Sequence, residues 1–122
     1  AYFPKDELTD RNERFFVTEI IREKILLNYD KEVPYSVEVE VEQFKEEEKL
    51  LNLMCVIHVN RDSQKGIIIG HQGKALKKVG TDARIDMEEF FQKKVFLQLY
   101  VKVNKDWREK DRSLNSFGYD ME

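Results

Sequence analysis

The chain has 122 residues and one cysteine, Cys55. That is long enough to bury one core without covalent staples, and one thiol rules out an internal disulfide framework or a cysteine-rich zinc site. No apolar run approaches the roughly 18 residues of a membrane span, and no signal-peptide pattern opens the chain, so a soluble cytoplasmic domain is expected. The absence of an initiator Met suggests a processed or excised chain.

A net charge of −3 argues against a nucleic-acid partner until its distribution is read. Residues 61–84 hold Arg61, Lys65, Lys74, Lys77, Lys78 and Arg84 against Asp62 and Asp82, a local +4, while the remainder carries −7. Such segregation is the footprint of a polyanion binder, although a solvated helix face gives the same count.

Residues 1–12 contain Pro4 and read as a leader. A helix follows, with Phe16, Val17, Ile20, Ile21, Lys24 and Leu27/Asn28 stepping by three and four. Thr9 or Asp10 is positioned to cap it, with Glu13 three residues after Asp10, and Asn28–Lys31 ends it. After Pro34 the pattern becomes strict alternation: Val37, Val39 and Val41 on one face, Ser36, Glu38, Glu40 and Glu42 on the other. Lys45–Lys49 is a charged hairpin connection. Leu51, Leu53, Cys55, Ile57 and Val59 form the inward set of a second, antiparallel strand. From Leu76 a second helix places Leu76, Val79, Ala83, Met87 and Phe90 on one face, and Gly80 interrupts it at a cost of about 1 kcal/mol relative to Ala, which points to close packing there. Val95, Leu97, Leu99, Val101 and Val103 alternate in a third strand. Asp106–Leu114 is a short terminal helix, with Gly118 as a stop after it. There is no internal repeat. The order predicts an α+β layer with helices packed on one small sheet.

The segment that carries chemistry is Gly70-His71-Gln72-Gly73, set between a β-hairpin and a basic helix. Two glycines three apart permit positive φ and remove side chains that would obstruct close approach. Lys74, Lys77 and Lys78 then project charge from the first turns of the helix, whose N-terminus adds free N–H groups and the positive end of its dipole. This suits a phosphodiester backbone. Ile67-Ile68-Ile69 would supply an apolar wall for bases, in a groove between the loop with its basic helix and the edge of the sheet, with base choice from Ile67, Ile69 and strand residues near Ile57–Val59. A lone GxxG is weak; the same motif between a hairpin and a basic helix, with a further strand after it, is strong.

On these residues the chain resembles a type II KH domain, whose GxxG loop clamps four nucleotides of single-stranded RNA. It is similar in particular to the C-terminal domain of the Era family of bacterial ribosome-assembly GTPases. The matching runs are Glu19–Lys24, Val33-Pro34, Arg61–Gly70, Lys77–Arg84, Val101–Val103, Asp106–Arg108 and Gly118-Tyr119, spanning nearly the whole chain. The resemblance implies a three-stranded mixed sheet with one parallel pair, packed by helices on one face. It implies a short helix at Ile67–Ile69, although β-branched residues alone favour strand. It divides the chain into residues 1–14, a linker from an upstream GTPase domain, residues 15–104, the KH domain, and residues 105–122, a terminal helix and tail.

For function, the resemblance implies binding of the 3′ end of small-subunit ribosomal RNA in maturation of the small ribosomal subunit, by a monomer. The RNA-binding set is Arg61, Gln64, Lys65, Ile67, Ile69, Gly70, His71, Gln72, Gly73, Lys74, Lys77 and Lys78, with no catalytic residue and no metal. GTP and Mg belong to the parent's upstream domain, and some family members associate peripherally with the inner membrane. The family loop usually carries basic residues between its glycines. Here His71 and Gln72 occupy those places, so affinity leans on the flanking lysines.

Other readings carry less. The pattern GxxxxGK followed by Ser or Thr is missing: Ile68 stands five positions before Gly73, and Ala75 follows Lys74. Cys55 and His58, three apart on a strand, point to opposite faces and cannot share an ion. Cys55 and the Phe90-Phe91 pair read as core, His58 as a sheet-surface or edge residue, Glu38, Glu40 and Glu42 as a solvated strand face, and Trp107 as an anchor for the terminal helix. The alternative to an RNA module is a protein-interaction or single-stranded-DNA-binding domain in which the GxxG loop is only a turn or a generic phosphate clamp.

Overall fold

The computed structural model describes residues 10–30 and 37–105. Its elements are α1 (Asp10–Asn28), β1 (Glu38–Glu46), β2 (Leu50–Val59), α2 (Asp62–Ile69), a single 3-10 turn (His71–Gly73), α3 (Lys74–Phe91) and β3 (Lys94–Val103). The residues before Asp10, those around Pro34, and the terminal segment with Trp107, Leu114 and Gly118 lie outside the described residues. α1 begins at Asp10, the expected cap position.

The sheet has the order β1-β2-β3. β1 and β2 are antiparallel, joined by a tight turn in which Glu47 N–H donates to the Leu50 carbonyl at 2.8 Å. β2 and β3 run parallel with unbroken register from Leu50↔Lys94 to Val59↔Val103, which makes the sheet mixed as expected. β2 is the central strand and the most hydrophobic. Leu51, Leu53, Cys55, Ile57 and Val59 all face the helices and are buried.

Three sequence-based assignments, at Leu27, in β1 and at His58, need correction. Leu27 is 73% exposed, and Ile25 takes its place in the core. At 100° per residue, Ile25 lies close to the Ile21 direction, whereas Leu27 is swung about a third of a turn away. The apolar face of α1 is therefore Phe16, Val17, Ile20, Ile21 and Ile25. Lys24 sits at its border, where Nζ pairs with Asp86 of α3 and is held above its ordinary pKa by that bond.

The alternation of β1 also breaks. The register passes from Val41↔Cys55 to Gln43↔Met54, so Glu42 is an extra, bulged residue. The phase then inverts and Phe44, opposite Leu53, packs inward against Phe91 with ring centroids 6.3 Å apart.

α1 and α3 cover one face of the sheet. Val79, Ala83, Met87 and Phe91 of α3 are buried, and half-buried Phe90 lies over Phe16 at a centroid distance of 4.0 Å. Each fully buried Ile, Leu or Met contributes about 1.5–3 kcal/mol from water exclusion. On the opposite face Val56 and His58 are also buried, flanked in register by Glu40 and Tyr100 and by Glu38 and Lys102. His58 is thus not a surface residue: its Nε2 lies 2.8 Å from Glu40 Oε1. Cys55 is fully buried on the helix side, and burial pushes its thiol up to about 12.

Candidate nucleic-acid interface

The Ile67-Ile68-Ile69 run is helical despite its β-branched composition. Ile68 is fully buried, and that single anchor pins α2 to the core. Ile69 packs partly against the core, and Ile67 exposes 51% of its surface. The end of α2 is held by a long-range bond. Tyr29 Oη, just past α1, donates to the Ile68 carbonyl at 2.5 Å, satisfying one of the carbonyls a helix end leaves over. Partial burial raises the phenol to about 12.

The chain then turns within four residues. Gly70 N–H closes α2 onto the Gly66 carbonyl at 2.9 Å, and Gly73 N–H donates to the Gly70 carbonyl at 3.1 Å. Gly70 adopts φ 77°, ψ 178°, and Gly73 φ 75°, ψ 9°. The two glycines are needed for different reasons. A Cβ on Gly70 would stand 2.6 Å from Ala75 Cβ, whereas one on Gly73 would meet nothing within 4 Å. Gly70 lets the loop pack against the start of α3; Gly73 leaves the loop open to approach. Gln72 is also left-handed, at φ 56°.

α3 starts directly from this turn with no side-chain cap, so its first N–H groups face the loop. Lys74, Lys77 and Lys78 are exposed there. Lys78 Nζ is paired with Asp82 at 2.8 Å, which offsets its charge; Lys74 and Lys77 have no ion pair among the described residues.

Beside the loop lies an open groove of about 320 Å³, lined by Gly73, Leu76, Lys77, Gly80, Thr81, Arg84, Leu97 and Leu99. One wall is α3, and the floor is β3. Gly80 is on this wall but is not required there by crowding: a Cβ would lie an ordinary 3.5 Å from Leu99 Cδ1. Arg84 closes the far end. Its Nη1 donates to Glu88 Oε1 at 3.0 Å, and the other Glu88 oxygen accepts Val95 N–H at 3.0 Å. The Val95 amide, followed by Arg84, holds the Glu88 carboxyl below its ordinary value.

Of the anticipated residues, the structure gathers Gly70, His71, Gln72, Gly73, Lys74 and Lys77 at one end of this groove. Lys65, Ile67 and Ile69 are on α2, before the loop. Arg61 and Gln64 are not with them: they sit at the start of α2, a helix of about 12 Å. The Gln64 side-chain oxygen accepts the backbone N–H groups of Asn60 and Arg61 at 2.9 and 3.0 Å, a capping duty. Ile57–Val59 do not face the groove. They are buried in the central strand, and the strand along the groove is β3. Leu97 and Leu99, two of the alternating residues of the third strand, are partly buried against the core and line the groove floor. The 3–4 spacing of Leu76, Lys77, Gly80, Thr81 and Arg84 with a glycine in its middle was the signal available for the wall.

No helix among the described residues is long and apolar enough to cross a membrane, and none of their His, Cys, Asp and Glu side chains cluster in threes to hold a metal ion.

Residues 32–108 match the family profile of the KH domain. Over 97% of its length the chain is 54% identical to the GTPase Era of Syntrophus aciditrophicus, and it is 52% identical to that of Geobacter metallireducens. It spans 39% and 41% of those proteins. Among solved structures it superposes on Aquifex aeolicus Era bound to GDP·AlF4−, with a TM-score of 0.80 at 37% identity, covering 97% of this chain and 40% of that one. It superposes equally on Era in complex with MgGDPNP and nucleotides 1506–1542 of 16S ribosomal RNA, with a TM-score of 0.80 at 37% identity over 98% of this chain and 40% of that one. A glycine-turned loop between two helices, the basic helix start behind it and a groove floored by the parallel edge strand complete the pattern, and the chain belongs to the KH domain family.

Proposed function

We propose that this chain binds single-stranded RNA in the groove between α3 and β3, with the Gly70–Gly73 backbone, Lys74 and Lys77 against phosphates and Leu76, Leu97 and Leu99 against bases. The observation that carries the reading is the pair of positive-φ glycines opening onto that groove, with an uncapped helix start and two unneutralised lysines at the same end. Apolar floor and cationic end match the two halves of an unpaired strand, its base faces and its phosphates.

By similarity to the Era proteins, the RNA is the 3′ end of small-subunit ribosomal RNA, and the chain is the RNA-binding part of an Era-like GTPase acting in small-subunit maturation. GTP and Mg belong to the rest of such a parent. This chain lacks the P-loop pattern, so the purified chain turns over no GTP; turnover that copurifies with it through successive columns would contradict this.

The test is the double substitution His71→Asp/Gln72→Asp. Both side chains are exposed, and Asp tolerates the left-handed backbone at position 72. Two negative charges against the phosphates should abolish binding to a 16S 3′-end oligomer in a fluorescence titration, with the melting temperature unchanged. Unaltered affinity rules the loop out. Equal affinity for the DNA oligomer of the same sequence would make the site a generic phosphate clamp.

A further inference from the structure

The groove uses only one face of β3. Along this strand Val95, Leu97, Leu99 and Val101 point to the helices and the groove, and Lys94, Phe96, Gln98, Tyr100 and Lys102 point to the other side of the sheet. That second row alternates base, ring, amide, ring, base. Phe96 is 53% and Tyr100 47% exposed, and both lysines are exposed. Gln98 Nε2 donates to Tyr100 Oη at 3.3 Å, which orients the phenol. At about 3.3 Å per residue the rings stand about 13 Å apart and the lysines about 26 Å apart.

Among the described residues β3 is an edge strand, hydrogen-bonded only to β2 within the sheet. Lysine on an edge deters pairing with other chains, and aromatic residues favour strands. Those two facts explain each residue singly. They do not explain two half-exposed rings bracketed by lysines on the one strand that floors the groove. On β1, across this face, Glu38 is paired with Arg22 at 3.3 Å and Glu40 lies 2.8 Å from His58, whereas Lys94 and Lys102 leave the β3 edge basic.

We propose that the outward face of β3 is a second single-stranded nucleic-acid site, with bases stacked on Phe96 and Tyr100 and phosphates beside Lys94 and Lys102. Its occupant is the same RNA strand, continuing over the β3 edge after it leaves the groove; in this the proposal rests on the groove reading above. Residues 97 and 99 floor the groove and residues 96, 98 and 100 alternate with them, so one strand's thickness separates the two sites. A GxxG groove holds about four nucleotides, and the platform takes those beyond it.

The experiment compares a four-nucleotide and a ten-nucleotide RNA on the 122-residue chain and on Phe96→Ala/Tyr100→Ala, with folding checked by circular dichroism. Wild type should bind the longer oligomer more tightly. The double variant should weaken the longer oligomer about tenfold or more and leave the shorter one within twofold. Lys94→Ala/Lys102→Ala, which removes only exposed charge, should flatten the salt slope for the longer oligomer by about one and leave the shorter unaffected. No effect on either oligomer, or an equal effect on both, overturns the platform. Failure of the groove reading shows elsewhere, as unchanged binding of the four-nucleotide RNA by His71→Asp/Gln72→Asp.

Discussion

Replacing Gly70 and Gly73 one at a time by alanine separates what the loop needs in order to fold from what it needs in order to bind. Gly70 sits at φ 77°, ψ 178°, a region held essentially by glycine alone, where another residue costs about 1–3 kcal/mol. An added Cβ also meets Ala75 Cβ at 2.6 Å and Ala75 N at 3.1 Å, atoms fixed in the first turn of α3. The two terms together reach about 3 kcal/mol or more, which at this chain length lowers the melting temperature by roughly 10 °C. Gly73 is left-handed at φ 75°, ψ 9°, where alanine costs about 1 kcal/mol, and its Cβ would enter open space. Gly73→Ala should therefore melt within about 5 °C of wild type and still lose RNA affinity, because the methyl occupies the space the phosphates approach. Thermal unfolding followed by circular dichroism, paired with an RNA titration, reads both effects. A Gly73→Ala variant less stable than Gly70→Ala, or one that binds RNA normally, would refute this division of roles.

Three further substitutions probe the scaffold around the groove. Gly80→Ala should stabilise the chain by up to about 1 kcal/mol in chemical denaturation, because helix propensity improves and the new methyl meets Leu99 Cδ1 at an ordinary 3.5 Å; a destabilised variant would show that α3 and β3 are closer than described. Tyr29→Phe leaves the Ile68 carbonyl without its phenol donor and should cost about 1–2 kcal/mol, with faster amide hydrogen exchange at Gly70–Gly73; unaltered exchange would mean the bond does not hold the loop. Glu88 has its pKa depressed by the Val95 N–H and by Arg84, so its contribution is complete above the ordinary glutamate pKa and is lost as pH falls through the lower folded value. Acid titration of Glu88→Gln should show a shallower stability loss in that window than wild type, and a parallel loss would contradict the bracket.

How much of this was legible in the sequence depends on how local each feature is. The alternating strands, the termination of α1 at Asn28 and the positive φ of Gly70 and Gly73 follow from residue types a few positions apart, and all appear in the structure. The mixed topology was carried by the resemblance, since alternation in β3 says nothing about which neighbour it pairs with or in which direction. The bulge at Glu42 was out of reach of a strict period-two reading, though Phe44 was the one apolar residue out of phase. Ile67–Ile69 favour strand by composition; tertiary packing of Ile68 overrides that preference. Which strand lines the groove is not local information: Ile57 and Val59 lie buried in the central strand, and Leu97 and Leu99 of the edge strand line the groove. Leu97 and Leu99 carry the same alternation as Val95 and Val101, and alternation alone does not say which of the four is buried and which lines the groove. The duty of the Gln64 side-chain oxygen at the start of α2 is a matter of local backbone geometry that its place in the motif does not reveal.

The most direct measurement of the central claim is the amide chemical-shift map of this chain on titration with a four-nucleotide single-stranded RNA. The account predicts the largest changes at Gly70–Lys77 and at Leu97 and Leu99, weakening together as salt is raised. Changes centred on β1 and its glutamates, with the loop and β3 silent, would contradict it.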